Sequence, residues 1–187
     1  MRCRLAAALA SLALAAAPAA AQTDITGATV RAEWIFPDAA TVQQVIGTAV
    51  VGPGVEFPGF FINAFTADFG ANTLTLAVRP NVNGIVLANP AFNGFRFSDA
   101  SDGIGAFTSA SLVGSTLPGF DATRLSFAEN ALSLNVSGLT ISTGQAVTVT
   151  FTTAPSTAVP EPGTWALLGT GLLLVGGVAA RRKRTTV

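Results

Sequence analysis

Carboxylates and hydroxyls are the groups in this 187-residue sequence that could do chemistry. The sequence contains no His and no Tyr, its one cysteine is Cys3, and its one lysine is Lys183. A Ser-His-Asp triad is excluded because no imidazole can serve as its base. A single cysteine provides neither a disulfide framework nor a zinc site, and we expect no cysteine nucleophile. We therefore predict a non-catalytic protein that needs no cofactor.

Some carboxylates are spaced so that they could bind a cation or form a catalytic pair. In "DASDG", Asp99 and Asp102 lie beside a turn glycine and are a candidate Ca²⁺ site. The stretch lacks the EF-hand pattern, so a solvated turn is the favoured interpretation. Glu33 with Glu56 or Asp68 could form the carboxylate pair of a glycosidase. Any acidic secreted domain offers such pairs, and the lack of a clustered constellation favours a non-catalytic role.

Aromatic and threonine residues suggest two kinds of binding surface. Trp34, Phe60 and Phe61 could stack on a sugar ring, although core packing is the commoner fate of such residues. The run "TVTFTT" from position 148 resembles the threonine ladders of ice-binding faces. Because threonine favours strands in general, we interpret it as ordinary β-surface.

The elements that must position these residues are β-strands. Alternation of apolar and polar residues with period two predicts strands that have one buried face and one solvated face. Turn sequences such as Asn83-Gly84 and Asn93-Gly94 separate these stretches, and no stretch has a sustained helical period. Residues 22–153 are thus predicted to form one all-β domain, an antiparallel β-sandwich with a jelly-roll-like arrangement. The apolar positions of the four clearest strands are Ala28, Val30, Ala32 and Trp34; Leu74, Leu76 and Val78; Leu132, Leu134 and Val136; and Val147, Val149 and Phe151.

Charge divides the chain into a mildly acidic middle and basic ends. Residues 22–153 contain four arginines and nine carboxylates, a net charge of −5. Such a domain has no attraction for phosphate backbones, so nucleic acid is not an expected partner.

The N-terminal residues 1–21 have the layout of a secretory signal peptide. Arg2 and Arg4 precede an uncharged, mostly apolar stretch, and Pro18 follows it. Ala19 and Ala21 then supply the small-x-small pattern that signal peptidase accepts. We predict cleavage after Ala21 and export through the inner membrane.

The C-terminal region has the layout of a membrane anchor. Residues 164–180 carry no charge, and as a helix they would span about 25 Å, slightly less than the hydrocarbon thickness of a bilayer. Four cations follow, and such a cluster stays in the cytoplasm and stops translocation. We predict a transmembrane helix at 164–180 and a cytoplasmic tail at 181–187. The cations are Arg181, Arg182, Lys183 and Arg184.

The motif Pro160-Glu161-Pro162 precedes this helix, within a linker at residues 154–163. Two prolines hold the segment extended, which suits the active site of a processing enzyme. Together the motif, the apolar helix and the arginine-rich end resemble a PEP-CTERM sorting signal. The resemblance implies recognition by an exosortase, a membrane transpeptidase-like enzyme of Gram-negative bacteria that make extracellular polysaccharide.

The function expected from these features is that of an exported, non-catalytic component of the cell surface or extracellular matrix. Its expected partners are the exosortase and, through the C-terminal helix, the inner membrane, and exopolysaccharide is left open as a third. The alternative is a carbohydrate-binding module or a carbohydrate-active enzyme on a β-sandwich.

Overall fold

A computed structural model describes residues 24–155. These residues form an all-β structure of antiparallel sheets, with one short 3₁₀ helix at Ala122–Arg124 and no α-helix among them. Within this range no helix is long and apolar enough to cross a membrane. The strands are β1 (Thr29–Ile35), β2 (Val42–Val50), β3 (Phe57–Phe60), β4 (Phe65–Phe69), β5 (Thr73–Val78), β6 (Ile85–Val86), β7 (Gly94–Asp99), β8 (Phe107–Ser115), β9 (Leu125–Ala128), β10 (Ala131–Asn135), β11 (Thr140–Ile141) and β12 (Ala146–Thr153).

Two five-stranded sheets carry most of the structure. The first sheet has the order β2-β1-β7-β10-β9, and the second has the order β3-β4-β5-β12-β8. The short strands β6 and β11 form a separate two-stranded ribbon. Hairpin neighbours stay within one sheet at β1–β2, β3–β4–β5 and β9–β10, and the chain changes sheet in the connections between these units.

The buried faces of the two large sheets share one hydrophobic core. Phenylalanine rings cross it: Phe95 of β7 lies 4.9 Å, centroid to centroid, from Phe60 of β3 and 5.0 Å from Phe65 of β4. Phe97 lies 5.4 Å from Phe69 in the same way. Edge-to-face pairs of this kind add to the free energy gained by burying each ring.

Three of the four strands predicted from alternation are confirmed without change. Leu74, Leu76 and Val78 face the core, as do the alternating apolar residues of β10 and β12. In β1 the alternation of faces also holds, because Arg31 and Glu33 both lie on the outer face. Glu33 is nevertheless buried there because two arginines cover it, and Trp34 is only half-buried.

The predicted turn at Asn93-Gly94 is also wrong. Gly94 begins β7, and Asn93 is 2% exposed. The Asn93 side chain accepts a hydrogen bond from Trp34 Nε1 at 3.0 Å and donates one to the Ala88 carbonyl at 3.1 Å. An Asn-Gly pair often makes a turn, but here buried hydrogen bonds determine the position of the asparagine.

Several sequence predictions fall outside the described residues. These are the signal peptide with its cleavage residues Ala19 and Ala21, the motif Pro160-Glu161-Pro162, the transmembrane helix at 164–180 and the cluster Arg181, Arg182, Lys183 and Arg184.

Candidate functional site

The outer face of the first sheet collects polar side chains from all five strands. Residues of β1, β7 and β10 alternate between the core and this face, so cross-strand partners of outward residues also point outward. Two rows of paired residues result; Arg31 and Glu33 of β1 stand second in their rows, and Arg96 of β7 stands at the centre of the second. In order from β2 to β9, the rows are Thr48, Arg31, Ser98, Ala131 and Ala128, and Val45, Glu33, Arg96, Ser133 and Ser126.

An ion cluster lies in the middle of this face. Arg96 donates hydrogen bonds to Glu33 Oε2 from Nε at 2.9 Å and from Nη2 at 2.7 Å. Arg31 Nη2 lies 2.9 Å from the other carboxylate oxygen of Glu33. The Glu33 side chain is 7% exposed, whereas those of Arg31 and Arg96 are 44% and 27% exposed. The buried carboxylate is therefore fully paired, and both guanidinium groups are held in place at the surface.

A groove of ≈ 850 Å³ runs over this cluster. Its lining is mostly polar and includes the hydroxyl residues Thr48, Ser98, Ser126 and Ser133. None of these four hydroxyls has a hydrogen-bond partner among the described residues. Phe127 of the edge strand β9 also borders the groove, but by register its side chain lies on the opposite side of the sheet from Ser126 and Ser133. The groove therefore offers mainly unused polar groups.

On the outer face of the second sheet, several hydroxyls bond to one another. Thr75 and Thr148 stand opposite each other on β5 and β12, and their hydroxyl oxygens are 3.3 Å apart. The Thr152 hydroxyl lies 2.7 Å from those of Thr108 and Ser109. Thr148 and Thr152 of "TVTFTT" thus bond to other hydroxyls and Thr150 donates to the Asn72 carbonyl, as an ordinary β-surface allows, whereas Thr153 is buried.

The structure does not bring the proposed glycosidase carboxylates together. Glu33 lies on the outer face of the first sheet, whereas Asp68 lies on β4 of the second. Glu56 accepts hydrogen bonds from the backbone N–H groups of Gly52 at 2.9 Å and Phe69 at 2.7 Å, which assigns it to a loop connection. Partial desolvation and then the nearby charge of Glu56 raise the pKa of Asp68. No pairing of Glu33 with either carboxylate is supported.

The candidate Ca²⁺ residues form a hydrogen-bonded turn. Asp99 Oδ1 accepts from the Ser101 N–H at 2.9 Å, and Oδ2 accepts from the Ile104 N–H at 2.8 Å. Asp102 has a φ of 54°, in the left-handed region that aspartate tolerates. Within residues 24–155 no three His, Cys, Asp or Glu side chains are grouped so that they could hold a metal ion. The turn interpretation accounts for both carboxylate oxygens of Asp99 without a cation.

The proposed sugar-stacking aromatics are engaged with the core. Phe60 is buried, and Trp34 and Phe61 are half-buried with ring centroids 4.8 Å apart. Core packing, the favoured interpretation of these residues, is confirmed for Phe60.

Sequence reasoning missed the groove. Its residues were visible as the polar members of alternating strands, but none was singled out except Glu33 and Asp99. The pairing of Arg96 with Glu33 joins strands more than sixty residues apart in the chain. No local sequence pattern predicts such a contact.

Comparison with known proteins identifies the other functional region of the chain. A family model described as "PEP-CTERM protein-sorting motif" matches residues 158–184. The chain carries a PEP-CTERM sorting signal. The match includes Pro160-Glu161-Pro162 and the basic cluster, and it confirms the resemblance predicted from these residues. A PEP-CTERM signal implies export and processing by an exosortase. No curated protein and no solved structure matches the chain.

Proposed function

We propose that this PEP-CTERM protein delivers a non-catalytic β-sandwich domain to the cell surface or the extracellular matrix. The signal peptide directs export, the helix at 164–180 holds the precursor in the inner membrane, and an exosortase cuts at or near Pro160-Glu161-Pro162. The jelly-roll-like arrangement of the sandwich is part of this proposal. The observation that supports delivery by the exosortase system is the match of residues 158–184 to the sorting motif.

The non-catalytic role has its own support in the described residues. The polar groove is lined by two carboxylates: both oxygens of Glu33 are paired with arginines, and both oxygens of Asp99 accept hydrogen bonds from backbone N–H groups. General acid–base catalysis needs a group that can exchange a proton with a substrate, and hydrolysis of a glycoside needs two. These features favour a binding or structural component over the carbohydrate-active enzyme of the alternative.

The test of the sorting proposal is a processing assay with Glu161→Ala. In a host that has its exosortase, the wild-type chain should lose its tail, and the variant should accumulate as a full-length precursor in the inner membrane. Export and insertion should be unchanged, because they depend on the signal peptide, the apolar stretch and the basic cluster. Immunoblots of membrane and surface fractions report the sizes.

Two controls make the result specific. Thr164→Ala changes the second residue after the motif and should be processed like the wild type, and a host that lacks exosortase should process neither. N-terminal sequencing of the exported wild type should find Gln22. If the exosortase-positive host keeps an intact tail on the wild type, the tail is a plain anchor and the proposal is wrong.

A further inference from the structure

We propose that the groove on the outer face of the first sheet binds an extended, uncharged saccharide chain. This inference goes beyond the sorting function and does not depend on it, because every residue that carries it lies within residues 24–155.

The shape of the groove favours an elongated ligand. Its lining residues come from all five strands of the first sheet, from Thr48 on β2 to Ser126 on β9. Neighbouring strands are about 4.8 Å apart, so five strands extend over about 19 Å. A chain that crosses the strands can contact successive members of a row, whereas a single small molecule would leave most of the row empty.

The polar groups of the groove match the chemistry of sugar hydroxyls. A sugar hydroxyl both donates and accepts a hydrogen bond, and so do the unpartnered hydroxyls of Ser98 and Ser133. Arg96 uses two of its five N–H donors on Glu33, and Arg31 uses one, so both retain donors for a ligand. Because Glu33 holds both guanidinium groups, little side-chain freedom is lost when a ligand binds.

Phe127, an exposed aromatic residue of the edge strand β9, lies on the other side of the sheet from the groove hydroxyls. By register it is opposite Leu132 of β10, whose side chain faces the core, so its ring points away from Ser126 and Ser133. On the groove side, Ala128 and Ala131 leave space at the β9 end. The proposed binding therefore depends on the polar groups.

Charge argues against the other classes of ligand. Arg31 and Arg96 are balanced by Glu33 and Asp99 in the lining, so the groove has no net charge, and the surrounding domain is acidic. A polyanion such as nucleic acid or polyuronate would be repelled by the domain and would find no excess of cations. The polar lining offers too little apolar surface for the buried centre of a typical protein interface.

The test measures binding of defined hexasaccharides by isothermal titration calorimetry. The probes are cellohexaose, laminarihexaose and maltohexaose, with hexagalacturonate as the charged comparison. The full chain is used in lauryldimethylamine oxide, a detergent without a sugar headgroup that could compete. We expect at least one neutral hexasaccharide to bind and hexagalacturonate to bind more weakly.

The double variant Ser98→Ala/Ser133→Ala removes two hydroxyls that make no hydrogen bond within the described residues, so the fold should be retained. It should weaken binding about tenfold or more, since each hydrogen bond contributes on the order of 1 kcal/mol. Its matched control is Thr73→Ala/Ser111→Ala, which alters the outer face of the second sheet and should bind like the wild type.

A further variant tests which side of the first sheet binds the saccharide. Phe127→Ala removes an exposed ring on the opposite side of the edge strand and should bind like the wild type. The proposal is overturned if the wild type binds none of the neutral hexasaccharides, if it prefers hexagalacturonate, or if Ser98→Ala/Ser133→Ala binds as tightly as the wild type. None of these results bears on processing of the tail, so the two proposals can fail separately.

Discussion

Arg96 donates two hydrogen bonds to a single carboxylate oxygen of Glu33, the residue directly opposite it on the neighbouring strand. The contact joins β1 to β7 on the outer face of the first sheet, and Arg31 completes it from the same strand as Glu33. A carboxylate that is 7% exposed would be costly to bury alone, and this pairing offsets that cost.

Arg96→Met should destabilise the protein by about 2 kcal/mol, because it leaves Glu33 buried with Arg31 as its one remaining cation. Arg31→Met should cost about 0.5 kcal/mol, since this arginine is 44% exposed and makes a single contact. Equilibrium urea unfolding of the full chain, followed by circular dichroism, measures both changes. Equal losses for the two variants would contradict the unequal roles assigned to the arginines.

Asn93→Ala should lower the free energy of unfolding by about 3 kcal/mol, because the Trp34 indole N–H and the Ala88 carbonyl lose their buried partner. Asn130→Ala is the matched control. Its side chain is exposed and makes no hydrogen bond within the described residues, so the change should stay within about 0.5 kcal/mol. Thermal unfolding monitored by circular dichroism distinguishes them, and a mild effect at position 93 would refute the importance of this buried network.

Gly94→Ala should be strongly destabilising, by about 3 kcal/mol. A Cβ atom there would overlap the Leu134 carbonyl oxygen on β10, and a backbone atom within a sheet cannot move aside cheaply. Gly114→Ala on β8 is the control, because its Cβ would meet no atom within 4 Å. The two midpoints of urea unfolding should therefore separate clearly; if they coincide, the close approach of β7 and β10 is wrong.

Asp68→Asn should stabilise the protein at pH 7 by at most about 0.5 kcal/mol. The pKa of Asp68 is raised in the folded state, so its contribution is favourable below the unfolded pKa near 3.8 and is lost as the pH rises through the folded pKa. Removing the charge at pH 7 removes that penalty, and at pH 3 the two proteins should have equal stability.

Asp121→Asn should change the stability at pH 7 in the opposite direction, and the same experiment measures it. Hydrogen bonds from Thr123 lower the pKa of Asp121, so its ionised form stabilises the fold above pH 3.8 and this contribution is lost as the pH falls through the folded pKa. The variant should be less stable than the wild type at pH 7. Urea midpoints at pH 7 and pH 3 measure both variants, and a destabilised Asp68→Asn at pH 7 would contradict the pKa direction.

The local sequence was sufficient to predict the all-β class and the core face of most strands. Alternation identified Leu74, Leu76 and Val78, for example, because a strand with one buried face must place an apolar side chain at every second position. The sorting signal was also readable, because Pro160-Glu161-Pro162, the apolar stretch and the basic cluster are contiguous and follow one another in a set order.

The groove and the buried network could not be predicted, because their members are neighbours only in three dimensions. Glu33 looked like a solvated strand residue until β7 placed Arg96 opposite it. Asn93 looked like part of a turn until Trp34 and Ala88 gave its side chain buried partners. Periodicity along the chain thus determined which residues face the core, whereas the order of strands across the sheets decided which polar side chains meet. That order depends on which distant strands pair, and pairing is set by packing of the whole core.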